Sequence, residues 1–337
     1  MKQRSAAEVR PNHATGRAAC RSLLALLTLL FSRWVSAQEF PHILDVTPVA
    51  GELSLRFTSP GGFNSRLERS TDLVTWRAAY TFPRSAGTQQ FTDGGSRLTD
   101  AQFYRIVQLG ETNALTGDHL NTDDGDVVLH PVNHASLVMT WKDQVIYVDP
   151  VGGAALYKTF PRPTLILITD VHSDHLDSVT VNGIGGTNAT VIAPPAVLPM
   201  LSAAVRPVTR VMTNGATLPL PNLLVEAVPM YNTTPSRLSY HTKGRGNGYV
   251  LTLGGRRIYL SGDTEDIPEM RNLRNIDAAF VCMNIPFTMD INQAASAVRE
   301  FLPRTIYPYH YSDSSVTNFK KLIDTNLNVE VRLRKWY

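Results

Sequence analysis

Asp170-Val-His-Ser-Asp-His175 sets two imidazoles and two carboxylates within six residues, directly after the apolar run 165–168. Side chains of these types repel or desolvate one another when crowded, unless a cation organises them. The spacing therefore reads as ligation of one or two divalent metal ions at the carboxyl end of a strand. A polar loop with helix-capping Asp residues is the plainer alternative, and it leaves the downstream pattern unexplained. The run 257–260 leads through Ser261-Gly262 to Asp263, the run 305–309 ends on His310, and the run 223–228 leads to Asn232 and, nine residues later, His241. In sheets flanked by helices, ligands collect just beyond the carboxyl ends of strands, so four such ends predict one shared site. The chemistry expected there is attack by water on a carbonyl or phosphoryl centre. A bound divalent ion lowers the pKa of a water from about 16 towards about 7, and Asp174 or Asp263 would orient that water or take its proton.

The elements that must position these residues alternate between strand and helix. Strands are expected near 127–131, 137–141, 145–148, 191–193, 278–283 and 306–309, with helices at 267–273, 291–301 and 316–324 and a proline-rich helical region at 195–204. Residues 38–110 read differently. The stretches 52–57, 66–69, 76–82 and 103–107 suggest short strands, separated by turn residues at 59–62, 70–72 and 93–95, which points to a small all-β sandwich. Residues 111–126, rich in Asp, Asn, Thr and Gly, read as a linker, and 127–337 as the domain that carries the chemistry. No internal repeat is visible. Gly244-Arg-Gly-Asn-Gly248 lacks the strand-turn-helix setting of a nucleotide loop and is expected to be a turn beside the site.

Residues 1–37 have the layout of a secretory signal: Lys2, Arg4, Arg10, Arg17 and Arg21, then the apolar run 23–31, then Val35-Ser-Ala37. Arg33 closes the apolar run well short of the roughly 20 residues a membrane span needs. Export without a stable span after processing is the expectation. Of the 32 Lys/Arg and 29 Asp/Glu, six and one lie in this segment, which leaves 26 against 28 and a net charge of −2. No basic stripe remains for nucleic acid, and Arg332-Leu-Arg-Lys-Trp336 reads as the solvent face of a last strand. Cys20 leaves with the signal. Cys282, alone in an apolar run, reads as a core thiol rather than a nucleophile. No GxSxG elbow, P-loop or CxxC pair offers a rival chemistry.

The order DxHxDH, then GDT, then a late strand-end His resembles the metallo-β-lactamase superfamily of metal-dependent hydrolases. Asn133-His-Ala-Ser136, Val148-Asp-Pro150, Gly248-Tyr-Val-Leu251 and Tyr307-Pro-Tyr-His-Tyr311 look most similar to its branch containing ascorbate-phosphate lactonase and the phospholipase D that cleaves N-acylethanolamine phospholipids. The resemblance spans roughly residues 125–335 and implies an α/β fold, a four-layer αββα sandwich. It implies one metal site of Asp174, His175 and His310, bridged by Asp263 to a second. In that second site Asp170 stands where the family has a His, His172 follows, and the middle-loop ligand falls near Asn232. A carboxylate and an amide in place of imidazoles make this site harder and weaker for zinc. One tightly held ion, or a preference for an oxygen-loving ion such as manganese, would follow. His241 is either the missing ligand or a residue facing the substrate.

Two other residues belong to the same expectation. His134 would line the substrate pocket or buttress a ligand, and Asp149 would hold a ligand loop by hydrogen bonds. Tyr231, Tyr309 and Tyr311 fit a pocket wall or the core equally well. The functional reading is an exported hydrolase acting on a small ester, lactone or phosphodiester, lactonase-like or phosphodiesterase-like, with zinc or manganese. The competing reading is a secreted metal- or ligand-binding protein of the same fold without turnover. The β module resembles fibronectin type III-like modules and would tether the chain to a surface or polysaccharide.

Overall fold

The computed structural model describes residues 5–9, 40–49, 52–95, 102–110, 115–323 and 327–337. The chain forms two compact units, Met1–Asn121 and Thr122–Tyr337. Among the described residues no helix is long and apolar enough to cross a membrane. The apolar run 23–31, the cleavage site and Cys20 lie outside the described residues. Of the 1–37 segment only Ser5–Val9 is placed, as a strand antiparallel to Gln102–Gln108.

The first unit is a two-sheet β structure. Ile43–Val49, Glu52–Pro60 and Ala86–Asp93 form one antiparallel sheet. Ser65–Ser70 pairs with both Arg77–Phe82 and Gln102–Gln108 in the other. Leu53, Leu55, Phe57 and Phe91 from the first sheet pack with Leu67, Ala79, Phe82, Tyr104 and Ile106 from the second. The alternation read in 52–57 is thus the inward set of a sandwich. Two strands, Ile43–Val49 and Ala86–Asp93, were not visible as alternation because both are largely exposed. Within the stretch expected as a linker, Gly117–Leu120 is a strand that pairs antiparallel with Arg77–Phe82, and the unit ends at Asn121. Asp118 and His119 are buried there, His119 against the Thr81 hydroxyl at 2.8 Å, so a polar stretch serves as a strand by hydrogen bonding rather than by hydrophobic pattern.

The second unit contains two sheets built on one plan. In the first, Val127–Asn133, Ser136–Trp141 and Gln144–Val148 form an antiparallel meander, and Leu165–Leu167, Thr190–Ala193 and Thr209–Val211 then add in parallel. In the second, Thr217–Leu220, Leu223–Met230, Gly246–Leu253 and Arg256–Leu260 are antiparallel, followed by the parallel strands Ala278–Cys282, Thr305–Tyr309 and Glu330–Val331. Leu165–Leu167, Ala278–Cys282 and Thr305–Tyr309 are buried throughout, which is why they read as unbroken apolar runs. Their carboxyl ends, with that of Arg256–Leu260, carry the DxHxDH motif, Asp263 and His310.

Among the described residues, helices are short and few. Ile291–Phe301 has a capping box, Asp290 accepting from the Gln293 amide while the Gln293 side chain accepts from the Asp290 amide, and it buries Ala294, Ala295, Ala297, Val298 and Phe301. The others are Ser178–Gly183, Pro268–Arg271 and Val316–Leu322. The expected helix at 195–204 is absent: Leu198–Met200 and Arg206–Val208 are single 3₁₀ turns, since Pro194, Pro195 and Pro199 lack the amide donors a longer helix needs. The closing segment is also corrected. Only Glu330–Val331 is strand, while Arg332 is buried against Glu330 and the Tyr307 hydroxyl and Trp336 is 1% exposed.

The glycine-rich segment opens a strand as well as a turn. Gly244 (φ +89°) makes the turn, and Gly246 and Gly248 begin Gly246–Leu253. A Cβ on Gly246 would sit 2.8 Å from the Thr169 carbonyl, and one on Gly248 2.7 Å from the Ser261 carbonyl. These carbonyls lie behind Asp170 and Asp263, so the glycines let two ligand-bearing loops approach one strand. Gly248→Ala is expected to cost about 1–3 kcal/mol through this overpacking. Urea denaturation would show it as a lowered midpoint, and an unchanged midpoint would contradict it.

Candidate metal centre

The DxHxDH segment is folded by its own backbone. The His172 carbonyl accepts from the amides of His175 (3.0 Å) and Leu176 (2.8 Å), and Asp177 then caps Ser178–Gly183. This turn sends His172, Asp174 and His175 into one space. Asp263 follows Gly262, whose φ of +60° and amide bond to the Tyr309 hydroxyl (2.9 Å) fix the bend. His310 follows its strand at φ +45°, and its amide donates to the His134 carbonyl (3.2 Å). His134 (φ +52°) and Asp149 (φ +42°) are likewise non-glycine residues in the left-handed region. Backbones of this kind carry some strain and hold the three side chains at fixed angles to the site.

Two groups of ligand-type atoms gather. Asp174, His175, Asp263 and His310 form one, and Asp170, His172 and His241 the other. Asp263 lies between them. Its Oδ2 is 3.2 Å from His175 Nε2 and 3.2 Å from His241 Nε2, and its Oδ1 is 3.2 Å from His310 Nε2. Asp174 Oδ2 is 3.2 Å from His310 Nε2 and 3.9 Å from His175 Nε2. Ligand atoms about 2.1 Å from a shared ion stand roughly 3.0–3.4 Å apart, so these spacings fit a cation. The donor chemistry agrees: His175 Nε2, His241 Nε2 and Asp263 Oδ1 are buried and form no hydrogen bond despite these contacts. Buried polar atoms normally find partners. A mixed set of imidazole and carboxylate donors of this kind suits a divalent metal ion.

The electrostatics point the same way. Burial works against a charged His175, yet the Asp263 and Asp149 carboxylates outweigh it and lift the imidazole well above its ordinary range. Burial likewise opposes the charge on Asp263, but His310 and His175 hold its carboxyl well below the usual range. Asp174 is also depressed, burial being overcome by hydrogen bonds with His134 and His310. The cluster thus draws positive charge onto itself.

Around the ligands stand the residues that aim them. Asp149, fully buried, sets Oδ2 2.8 Å from His175 Nδ1 and accepts from the Thr169 hydroxyl (2.6 Å) and amide (2.8 Å). Asn232 has both side-chain ends engaged by protein partners. Its Oδ1 is 3.0 Å from His241 Nδ1 and its Nδ2 donates to the Phe287 carbonyl (2.7 Å), so it orients His241, whose Nε2 faces Asp263. His134 places Nε2 3.2 Å from Asp174 Oδ2 and Nδ1 2.7 Å from the Tyr337 hydroxyl, with its ring over that of His310. Tyr309 is core, its hydroxyl accepting from the Gly262 amide, and Tyr231 bonds Glu269. Tyr311 packs on Tyr337.

Three participants carry no motif signal. Tyr337 aims His134. Glu265, buried, accepts from the Thr233 and Thr234 amides and so holds the loop after Asn232. Arg245 grips Asp170, Nε to Oδ1 at 3.1 Å and Nη2 to Oδ2 at 2.8 Å. The one available hint was a charged residue inside a glycine-rich loop.

Cys282 is fully buried, and burial pushes its thiol up to about 12. At pH 8 only on the order of one thiol in ten thousand is then ionised. Iodoacetamide should leave the Cys282 peptide unmodified in the folded protein and label it in urea. Labelling at equal rates would contradict this.

Comparison with known proteins agrees with the geometry. A family model described as a beta-lactamase superfamily domain matches residues 144–311. A metal-dependent hydrolase from Pyrococcus abyssi is 28% identical over 215 residues, 59% of this chain and 93% of its own length. A crystal structure from Parabacteroides distasonis, of a protein provisionally named a metal-dependent hydrolase, is 40% identical with a TM-score of 0.61, covering 66% of this chain and 99% of that one. The metallo hydrolase Igni18 from Ignicoccus hospitalis shares the fold at 20% identity and a TM-score of 0.53, over 62% and 95% of the two chains. With its αββα-type pair of sheets and its ligand residues at the strand ends, the chain belongs to the metallo-β-lactamase superfamily.

Proposed function

We propose that this chain is an exported metal-dependent hydrolase acting on a small ester, lactone or phosphodiester. The observation that carries the reading is the buried, unpartnered set His175 Nε2, His241 Nε2 and Asp263 Oδ1, closed by Asp174 and His310. Asp174, His175, Asp263 and His310 would hold a divalent ion, with His241 reaching the same Asp263 oxygen. When bound, the ion would acidify a water and polarise the electrophile.

The protein side chains divide the remaining work by exposure. The Asp263 side chain is 3% exposed and serves as a bridge between ligand groups. That of Asp174 is 44% exposed and stays ionised at neutral pH, so it can accept a hydrogen bond from the attacking water and orient it. His134 reaches Asp174 from the other side and is fixed by Tyr337, which suits it to hold a substrate oxygen or pass a proton at Nε2. The leader at 1–37 supports export, and the β module supports tethering to a surface or polysaccharide.

The test is turnover of ester, lactone and phosphodiester panels by the metal-reconstituted protein, with His134→Ala alongside. Hydrolysis of one class, weakened in the variant at unchanged metal content, supports the reading. Stoichiometric metal with no turnover on any panel would instead identify a silent binding protein.

A further inference from the structure

The two ligand groups differ in what already satisfies them. In the inner group, His175 Nε2 and Asp263 Oδ1 are buried without a hydrogen bond, as is His241 Nε2 of the outer group, while Asp174 is partly exposed and bonded to His134 and His310. In the outer group, Asp170 and His172 are engaged by Arg245. The guanidinium takes both Asp170 oxygens, its Nη2 lies 3.3 Å from His172 Nε2, and the same Nη2 donates to the Tyr240 carbonyl at 2.6 Å. His172 Nδ1 is 3.0 Å from Asp170 Oδ2, so both nitrogens of that ring face protein partners. Gly246, the next residue, lets the backbone beside Arg245 pass close to the Thr169 carbonyl behind Asp170, where a Cβ would sit 2.8 Å from that oxygen.

We propose that Arg245 is a resident cation of the outer group, which limits this centre to one tightly held metal ion. The inference rests on the metal-centre reading above. Asp170 is 0% exposed, and a buried carboxylate needs a counter-charge. Arg245 supplies it permanently, in the two-pronged geometry that suits a carboxylate. Of the three carboxylates in the two groups, that leaves Asp174 and Asp263, whose combined charge is that of one divalent ion. A second divalent ion would enter beside a fixed guanidinium and would have to displace its hydrogen bonds to Asp170 and His172. Removing the guanidinium leaves Asp170 uncompensated and turns the outer group into a metal site.

The experiment titrates chelator-stripped protein with Zn²⁺, and separately Mn²⁺, by competition with a chromophoric chelator and by elemental analysis after dialysis. The chains compared are the parent, Arg245→Gln and Arg245→Lys. The parent is expected to hold one ion, with a second at least about a hundredfold weaker. Arg245→Gln should tighten the second ion at least tenfold, and Arg245→Lys, which keeps the charge, should do so less. Two ions of comparable affinity in the parent would overturn the proposal even if the variants fail to fold. Loss of an ion in Arg245→Gln would also overturn it, because Arg245 would then be orienting Asp170 as a ligand. A parent chain that binds neither metal would overturn the metal-centre reading, and this inference with it.

Discussion

Replacing Asp263 with Asn is expected to strip metal from the centre and lower kcat/KM by on the order of a thousandfold or more, with the fold kept. The change is nearly isosteric, so packing around this 2%-exposed residue is preserved. What is lost is the charge that three imidazoles share: His175 and His241 at one oxygen and His310 at the other, each at 3.2 Å. An amide placed there presents an NH₂ to ring nitrogens on one side or the other. Metal attraction and Lewis-acid chemistry of several kcal/mol depend on that carboxylate, and a factor of ten corresponds to about 1.4 kcal/mol. Elemental analysis and circular dichroism, read with turnover, check the prediction. Metal content equal to the parent's would contradict it.

Asp149 should matter nearly as much without touching metal. Asp149→Ala leaves His175 Nδ1 and the Thr169 amide and hydroxyl without their acceptor in a fully buried setting. Removing one partner of a buried ionic pair costs about 3–5 kcal/mol, so the urea midpoint should fall. Asp149→Asn is the more telling change. Oδ1 accepts from the Thr169 amide, and Oδ2 accepts from the Thr169 hydroxyl and faces His175 Nδ1. Either orientation of the new amide aims an NH₂ at a donor or at Nδ1. In the second case the ring proton moves to Nε2, the atom that faces Asp263, and His175 can no longer ligate. Metal affinity should drop about 10–100-fold with smaller loss of stability than in the alanine variant. An Asn variant that binds metal like the parent would show that the tautomer of His175 is not set here.

How far the sequence alone reaches depends on what kind of signal each part carries. Buried parallel strands leave continuous apolar runs, so the strands before Asp170 and His310 were readable, as was the shorter apolar run 258–260 before Asp263, and the ligand types stand out at their ends. The Ile291–Phe301 helix was readable from its periodicity. Elements held by hydrogen bonds between polar groups were not: Gly117–Leu120 resembles a linker, and the run 195–204 has helical composition but proline-limited geometry. The same divide runs through the site. Asp170 and His172 appear as a motif, but whether Asn232 or His241 faces Asp263 is a question of side-chain direction after a loop, which spacing does not encode. Arg245 and Tyr337 act through contacts that span 75 and 203 residues of chain, and a single sequence gives no sign of such pairings.

The measurement that bears most directly on the account is metal content paired with reconstitution. The purified protein is analysed for bound metal, stripped by chelator, and refilled with Zn²⁺ or Mn²⁺ before assay on the ester, lactone and phosphodiester panels. The account predicts one tightly bound ion per chain, loss of hydrolysis on stripping and its return on refilling. A protein that carries no metal and binds none on refilling would contradict it.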